Sequence, residues 1–332
     1  MLADFAAPIA EAYDLGAVRE FAGPVARGEQ GEVWRLHTDR GVWAVKRSYF
    51  GFTAAEAQRA GEFQNLARQH GVPAPEARTT RSGQFSHEVA GTLVRVQSWV
   101  DVLDRDPLLD PARVGVVVAA LHRTGQPPDG PPHPWYTEPV GADGWDALVS
   151  AARRQRAPFA DRLAAYRSEL LALEDLLTPM VVRQTCHLDL WSDNLRPTPD
   201  GGLCLLDWDN CGPGDPSREL AMVLFEFARS NPQRVSALYA AYRAAGGPGR
   251  VAAPTDFAQV IAQLGHIGEL QLRRWLDPAA SEADRARALT AVNEFLDEPL
   301  ERATIEVILT GLSEPGLAEQ VVAPGQEDLE RG

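Results

Sequence analysis

Short apolar runs dominate the first hundred residues, and they follow the two-residue period of half-buried strands. Residues 31–37, 42–47 and 92–99 are rich in Val, Trp and Leu, types that suit a pleated surface. The polar stretch 38–41 between the first two reads as a turn. One helix interrupts the strands. Thr53 is a plausible N-cap, and the pattern runs to about residue 70, with Gly71 and Pro73 as stop signals. From Asp101 onward the spacing changes to that of helices. Helices are expected over 111–123, 143–156, 161–177, 217–230, 233–245, 255–276, 282–300 and 301–312. Residues 181–208 break this run, with short apolar segments and a Pro-Asp-Gly-Gly turn at 199–202. Residues 125–134 form a Pro/Gly-rich connector. The pattern predicts an α+β chain with a small antiparallel β-rich lobe over 1–100 and a large, mostly helical lobe over 101–314. The acidic segment 315–332, without aromatics, is expected to fray.

Composition narrows the function classes. The 332 residues are 45% hydrophobic and 23% charged, which excludes wholesale disorder. Apolar runs such as 116–121 are far shorter than the roughly 20 residues of a membrane span. Asp4, Glu11 and Asp14 mark the start of the chain and no early positive charge does, unlike a secretory signal. A cytoplasmic protein without a membrane partner is expected. Cys186, Cys204 and Cys211 form no CxxC and cannot all pair, so reduced thiols are expected. The formal charge of −14 disfavours nucleic acid as a partner. Of the 32 basic side chains 31 are Arg, and the single lysine is Lys46. A compact point charge is not interchangeable with a guanidinium, so this residue stands out.

The chemistry concentrates in His187-Leu-Asp189-Leu-Trp-Ser-Asp193-Asn194 and in Leu203-Cys-Leu-Leu-Asp207-Trp-Asp209. An apolar strand ending in Asp207 holds a carboxylate at a rigid strand end. After a tight turn the chain returns beside the loop carrying Asp189 and Asn194. Carboxylate and amide oxygens of this kind suit a hard cation such as Mg²⁺, which keeps waters and substrate phosphates in its other positions. Asp189 could instead accept a proton from a hydroxyl. Asp193 reads as a turn residue. Asp209 is open between third ligand, substrate contact and turn residue.

His-x-Asp-x-x-x-x-Asn, with an Asp at a strand end thirteen residues on, resembles the catalytic and metal loops of the protein-kinase-like superfamily. Within it the chain resembles the aminoglycoside phosphotransferase family, which also takes in choline and methylthioribose kinases. Leu188 stands where protein kinases have Arg, Asp207-Trp-Asp replaces Asp-Phe-Gly, and no Ala-Pro-Glu follows. The segment Gly212-Pro-Gly-Asp215-Pro216-Ser-Arg-Glu219-Leu-Ala is similar to that family's Gly-Asp-Pro-x-x-Asp-Leu-Ala, with Glu219 in place of Asp. Asp215 and Pro216 also read as a helix start that braces the metal loop.

The resemblance covers about residues 20–230 and implies a two-lobed protein-kinase-like fold and ATP-dependent, Mg²⁺-assisted phosphoryl transfer to a small-molecule hydroxyl, with GTP not excluded as donor. It implies Asp189 as the catalytic base and Asn194 and Asp207 as metal ligands. Residues Gly28 and Gly31 resemble a glycine-rich phosphate loop, and Lys46, ending the 42–47 strand, would bond the phosphates. Such a lysine pairs with a helix Glu. Helical geometry favours Glu56, which shares the face of Phe63, and Glu62 remains open. Ser98, Trp99 and Val100 would form the hinge that reads adenine through its backbone. Candidates for the acceptor pocket are Asp209, Glu226, His266, Glu269 and Trp275. His122 and His187 read as structural, and Trp135, Tyr136 and Trp145 as core. An aminoglycoside, another natural product, an amino alcohol or a sugar all fit as acceptor. A nucleotide-binding regulator without turnover is the alternative, and a Ser/Thr protein kinase is a weaker one.

Overall fold

Pairing of the short strands decides the N-terminal architecture. A computed structural model describes residues 5–27, 31–49, 51–229 and 231–313. Helix α1 (Ala6–Ala12) precedes strands β1 (Val18–Arg27), β2 (Gly31–Thr38) and β3 (Gly41–Ser48). Helix α2 (Ala54–Gln69) follows, then β4 (His87–Val89) and β5 (Thr92–Ser98). The strands form one antiparallel sheet in the order β1-β2-β3-β5-β4. Val45 lies opposite Val96, and with Leu36 and Val94 they pack on Ile9 and Tyr13. The alternation of strand side chains therefore turns Lys46 and its neighbour Arg95, which are directly opposite in the ladder, to the other face.

Neither α1 nor β1 was legible in the pattern. Helix α1 has seven residues, too few for a period to show. Strand β1 is an edge strand, largely exposed, with a Pro in it, so it carries little apolar signal.

The rest is helical: α3 (Pro111–His122), α4 (Gly141–Arg154), α5 (Ala160–Glu174), α6 (Pro216–Ala228), α7 (Pro232–Ala244), α8 (Ala258–Leu276), α9 (Glu282–Asp297) and α10 (Arg302–Ser313). Nearly every residue of α6 is buried, Arg218 and Glu219 included. It is the centre of the main core, which also takes Phe63 from α2. Phe63 meets Trp208 edge-on at 5.5 Å, joining the two lobes. A second core of Trp145, Phe159, Leu163, Leu272 and Val292 lies between α4, α5, α8 and α9. The interrupted stretch holds two small antiparallel ladders, β6 (Gln184–Cys186) with β9 (Gly212–Gly214) and β7 (Leu195–Pro197) with β8 (Leu203–Leu205). No described helix is long and apolar enough to cross a membrane.

Candidate active site

The β7–β8 hairpin brings the two acidic segments together. Leu206 N–H donates to the Asn194 carbonyl at 2.8 Å, and His187 Nε2 donates to the Leu206 carbonyl at 3.1 Å. His187 is fully buried, its ring edge-on to Trp208 at 4.8 Å. It staples one loop to the other. Both loops turn through left-handed backbone at non-glycine residues, Leu188 (φ 65°) and Asp207 (φ 53°). Such residues cost of order 1–3 kcal/mol unless surrounding contacts hold them. At Leu188 the contacts are explicit: its N–H donates to Glu219 Oε1, and its carbonyl accepts from Gln263 Nε2 at 3.2 Å.

Asp189 follows directly. Its Oδ2 accepts from Asn194 Nδ2 at 2.8 Å and from Asn210 Nδ2 at 3.1 Å. Asn194 Nδ2 also donates to the Asp189 carbonyl at 2.9 Å. Both partners of that nitrogen are acceptors, so the amide orientation is determined, and Asn194 Oδ1 is left for a cation. Burial pushes the Asp189 carboxyl up to about 7; the Asp207 charge adds to this, and the two asparagines and Lys46 oppose it. A base poised near neutrality suits proton abstraction. Asp207 is the more open carboxylate, 41% exposed. One carboxylate and one amide oxygen make a hard-oxygen set that fits Mg²⁺ completed by water and phosphate.

Lys46 is the other pole of the cleft. Its Nζ lies 2.6 Å from Asp207 Oδ1 and 2.7 Å from Asp209 Oδ2. Burial works against its charge, but the two carboxylates outweigh that and raise its pKa. The expected helix glutamate is not its partner. Glu56 closes a capping box, accepting from Thr53 N at 2.7 Å and Thr53 Oγ1 at 2.8 Å. Glu62 accepts from Gln58 at 2.7 Å. Glu56 sits in the first turn of α2, where its carboxylate satisfies free N–H groups. A face shared with Phe63 could not reveal that.

Asp209 is corrected as well. It is 4% exposed, held by Lys46 and by both Nη atoms of Arg95 at 2.5 and 2.7 Å, and so does not face an acceptor. Gly28 lies outside the described residues. Gly31 opens β2, where a Cβ would fall 2.2 Å from the Arg47 carbonyl oxygen, so strand pairing alone requires glycine there. At the hinge, Ser98 N–H donates to Glu76 O and Trp99 N–H to Val42 O. Of the three residues, Val100 keeps its amide clear of these bonds. The Trp99 ring lies under the Arg35 guanidinium at 4.7 Å.

The remaining acceptor candidates divide. Glu226 accepts from Ser192 N at 3.0 Å and braces the loop that carries Asp189. His266 stacks on Trp135 at 5.2 Å and bonds Glu269 at 3.2 Å, and Glu269 also takes Arg273. Trp275 is half-buried and packs edge-on to Phe159 at 5.0 Å, against the second core. It is a packing residue because its face of α8 meets α5. Tyr136 is buried beside the catalytic loop, and burial, then the Asp189 charge, raises its pKa.

Arg95, Asn210, Gln263 and Tyr242 were not foreseen. Arg95 had a signal: a charge inside the apolar alternation of Thr92–Ser98, in register with Lys46. Tyr242 belongs to a buried relay. Gly249 N–H donates to Tyr242 Oη at 2.7 Å, which lies 2.8 Å from His122 Nδ1. A carboxylate accepts, so the ring nitrogen facing Glu219, Nε2, carries a proton. That nitrogen donates to Glu219 Oε2 at 2.8 Å.

A sequence model of the phosphotransferase enzyme family matches residues 22–254. No curated protein matches the chain in sequence. Among solved structures, the fold is similar to a spectinomycin phosphotransferase in complex with ADP and spectinomycin (TM-score 0.66, 12% identity, 93% of this chain and 97% of that one). It is similar to an aminoglycoside phosphotransferase from Alicyclobacillus acidocaldarius (TM-score 0.55, 18% identity, 91% and 93%). A choline kinase from Streptococcus pneumoniae gives a TM-score of 0.52 at 17% identity, over 88% and 99%.

Proposed function

The chain belongs to the phosphotransferase enzyme family and is a small-molecule kinase, and from that premise we propose that it transfers the γ-phosphoryl group of ATP to a hydroxyl of a small molecule in the cytoplasm. The observation that carries the reading is the shared use of Asn194: its amide nitrogen holds Asp189, which leaves its amide oxygen for a cation, and its backbone carbonyl accepts from Leu206 N–H, one residue before Asp207. Proton acceptor and cation ligands are thereby fixed relative to one another.

Asp189 accepts the proton of the acceptor hydroxyl. The acceptor oxygen forms its bond to the γ-phosphorus as the bond to the β–γ bridging oxygen breaks, and that oxygen leaves with the electron pair on ADP. Lys46 holds phosphate oxygens. Asn194 and Asp207 would hold Mg²⁺, which supplies charge neutralisation on the transferred group. Positioning and electrostatics carry the rate.

The similar structures act on, or are named for, spectinomycin, aminoglycosides and choline. Amino sugars and amino alcohols are therefore the first acceptors to test, and an antibiotic-resistance role is one form this activity takes. The test is ADP release from Mg·ATP across a panel of amino sugars, amino alcohols and plain sugars. Asp189→Asn is expected to lose roughly 10²–10⁴-fold in turnover while still binding nucleotide. Near-full turnover in that variant with the accepted substrate would remove Asp189 from its role. Binding of Mg·ATP without consumption across the whole panel would favour a regulator instead.

A further inference from the structure

The helix glutamates of α2 are committed elsewhere, yet Lys46 is not left without an orienting carboxylate. Asp209 reaches it from the opposite lobe, 2.7 Å away and almost fully buried. Asp209 is held in turn by Arg95, whose two Nη atoms clasp the two carboxylate oxygens. This two-point geometry fixes the orientation of the carboxylate as well as its charge. Arg95 is itself confined. It lies opposite Lys46 in the β3–β5 ladder, is 14% exposed, and its guanidinium covers the Phe52 ring at 4.1 Å.

We propose that Asp209, oriented by Arg95, is the residue that positions Lys46 for nucleotide phosphates, in the place expected of a helix glutamate. The arrangement has a charge logic. Lys46 and Arg95 carry two positive charges, and Asp207 and Asp209 two negative ones. When Asp207 turns to a cation, Lys46 still keeps Asp209, because Asp209 has no open edge with which to leave. Asp209 and Arg95 are thus positioning residues, acting through Lys46. The bonds also cross between lobes, from β3 and β5 to the turn after β8, so the same ion triad sets how closely the sheet sits on the catalytic loop. In its nucleotide role the proposal rests on the kinase reading above.

The composition offers an unusually direct test, because Lys46 is the chain's single lysine. Labelling lysine with ¹⁵N at the side chain yields one ammonium signal. Asp209→Asn and Arg95→Met are expected to shift it and to speed its proton exchange by about ten-fold or more, the scale of a lost charge-assisted bond. Glu56→Gln and Glu62→Gln are expected to leave it in place, since Gln retains the capping box. In calorimetric titration, Asp209→Asn and Arg95→Met should weaken Mg·ADP about ten-fold or more and adenosine less than about two-fold. Arg95→Lys, which keeps the charge but not the two-point grip, should fall between. If Arg95→Met fails to fold, Asp209→Asn and Arg95→Lys decide the matter. An unmoved signal in Asp209→Asn, a moved one in Glu56→Gln or Glu62→Gln, or equal weakening of Mg·ADP and adenosine would overturn the proposal. A wild-type chain that shows the expected signal pattern yet binds no Mg·ADP would instead overturn the kinase reading and the nucleotide role with it, leaving the ion triad standing.

Discussion

His122 Nε2 lies 2.8 Å from Glu219 Oε2, both side chains are wholly buried, and the other oxygen of that carboxylate holds the backbone of Leu188, one residue before Asp189. A histidine that reads as a helix-end packing residue is therefore two bonds from the catalytic loop. Helix α3 positions it, α6 positions the glutamate, and α7 supplies the tyrosine that orients the ring.

Removing that imidazole should unsettle the loop. His122→Ala leaves a buried acceptor without its donor, and a loss of roughly 3 kcal/mol in unfolding free energy is expected. Chemical denaturation checks the value. Tyr242→Phe should also lose roughly 1–3 kcal/mol, because the buried Gly249 N–H and His122 Nδ1 both lose their partner. An unchanged midpoint in His122→Ala would mean that water replaces the ring without consequence.

The capping box gives a local control. Thr53→Ala should lower stability by about 1 kcal/mol, read as a reduced thermal midpoint. Nucleotide affinity should stay as in the wild type, because the residues around Lys46 do not depend on that cap.

Trp275 separates packing from acceptor binding. Its partner is Phe159, and Arg285 covers its ring at 5.6 Å. Trp275→Ala should lose about 2 kcal/mol, below the range for a fully buried large aromatic because the ring is half-buried, and Trp275→Phe considerably less. With a working acceptor in hand, the KM for that acceptor in Trp275→Phe should match the wild type. A selective rise in acceptor KM would return the residue to the pocket.

Cysteine reactivity provides a pH test away from the cleft. Burial pushes the Cys204 thiol up to about 12, with Arg68 opposing weakly, against about 8.5 for a free cysteine. The thiolate is the reacting form. Native protein at pH 8.5 should therefore leave Cys204 unmodified by iodoacetamide, whereas urea-unfolded protein reacts. Mass spectrometry of the alkylated chain decides it. Rapid labelling in the native state would contradict the burial of β8.

Much of the site can be read without a structure because its parts are local. His187 to Asp209 spans one hairpin, and the strand that ends in Asp207 forces the loop's residues together whatever surrounds them. The helices after residue 110 announce themselves by period and by caps such as Asp110 and Asp215, both of which bond their own first turns. The edge strand β1 and the seven-residue α1 lack that redundancy. So does the choice among carboxylates for Lys46: Glu56, Glu62 and Asp209 are equally acidic in a sequence, and only one is within reach.

The sequence by itself determined the α+β order of elements, the grouping of acidic residues over 187–209 and the isolation of one lysine on a strand, since each follows from short-range spacing. Tertiary structure decided the partners. Lys46 meets Asp207 across 161 positions, and Arg95 meets Asp209 across 114. Such pairings depend on how the sheet is seated on the helical lobe, through contacts such as Phe63 on Trp208. That packing also set Trp275 against the second core, and made Glu56 a cap and Asp209 a buried ion partner. A side chain's role is set by which neighbours remain to satisfy it once water has been excluded, and those neighbours are assembled from distant parts of the chain.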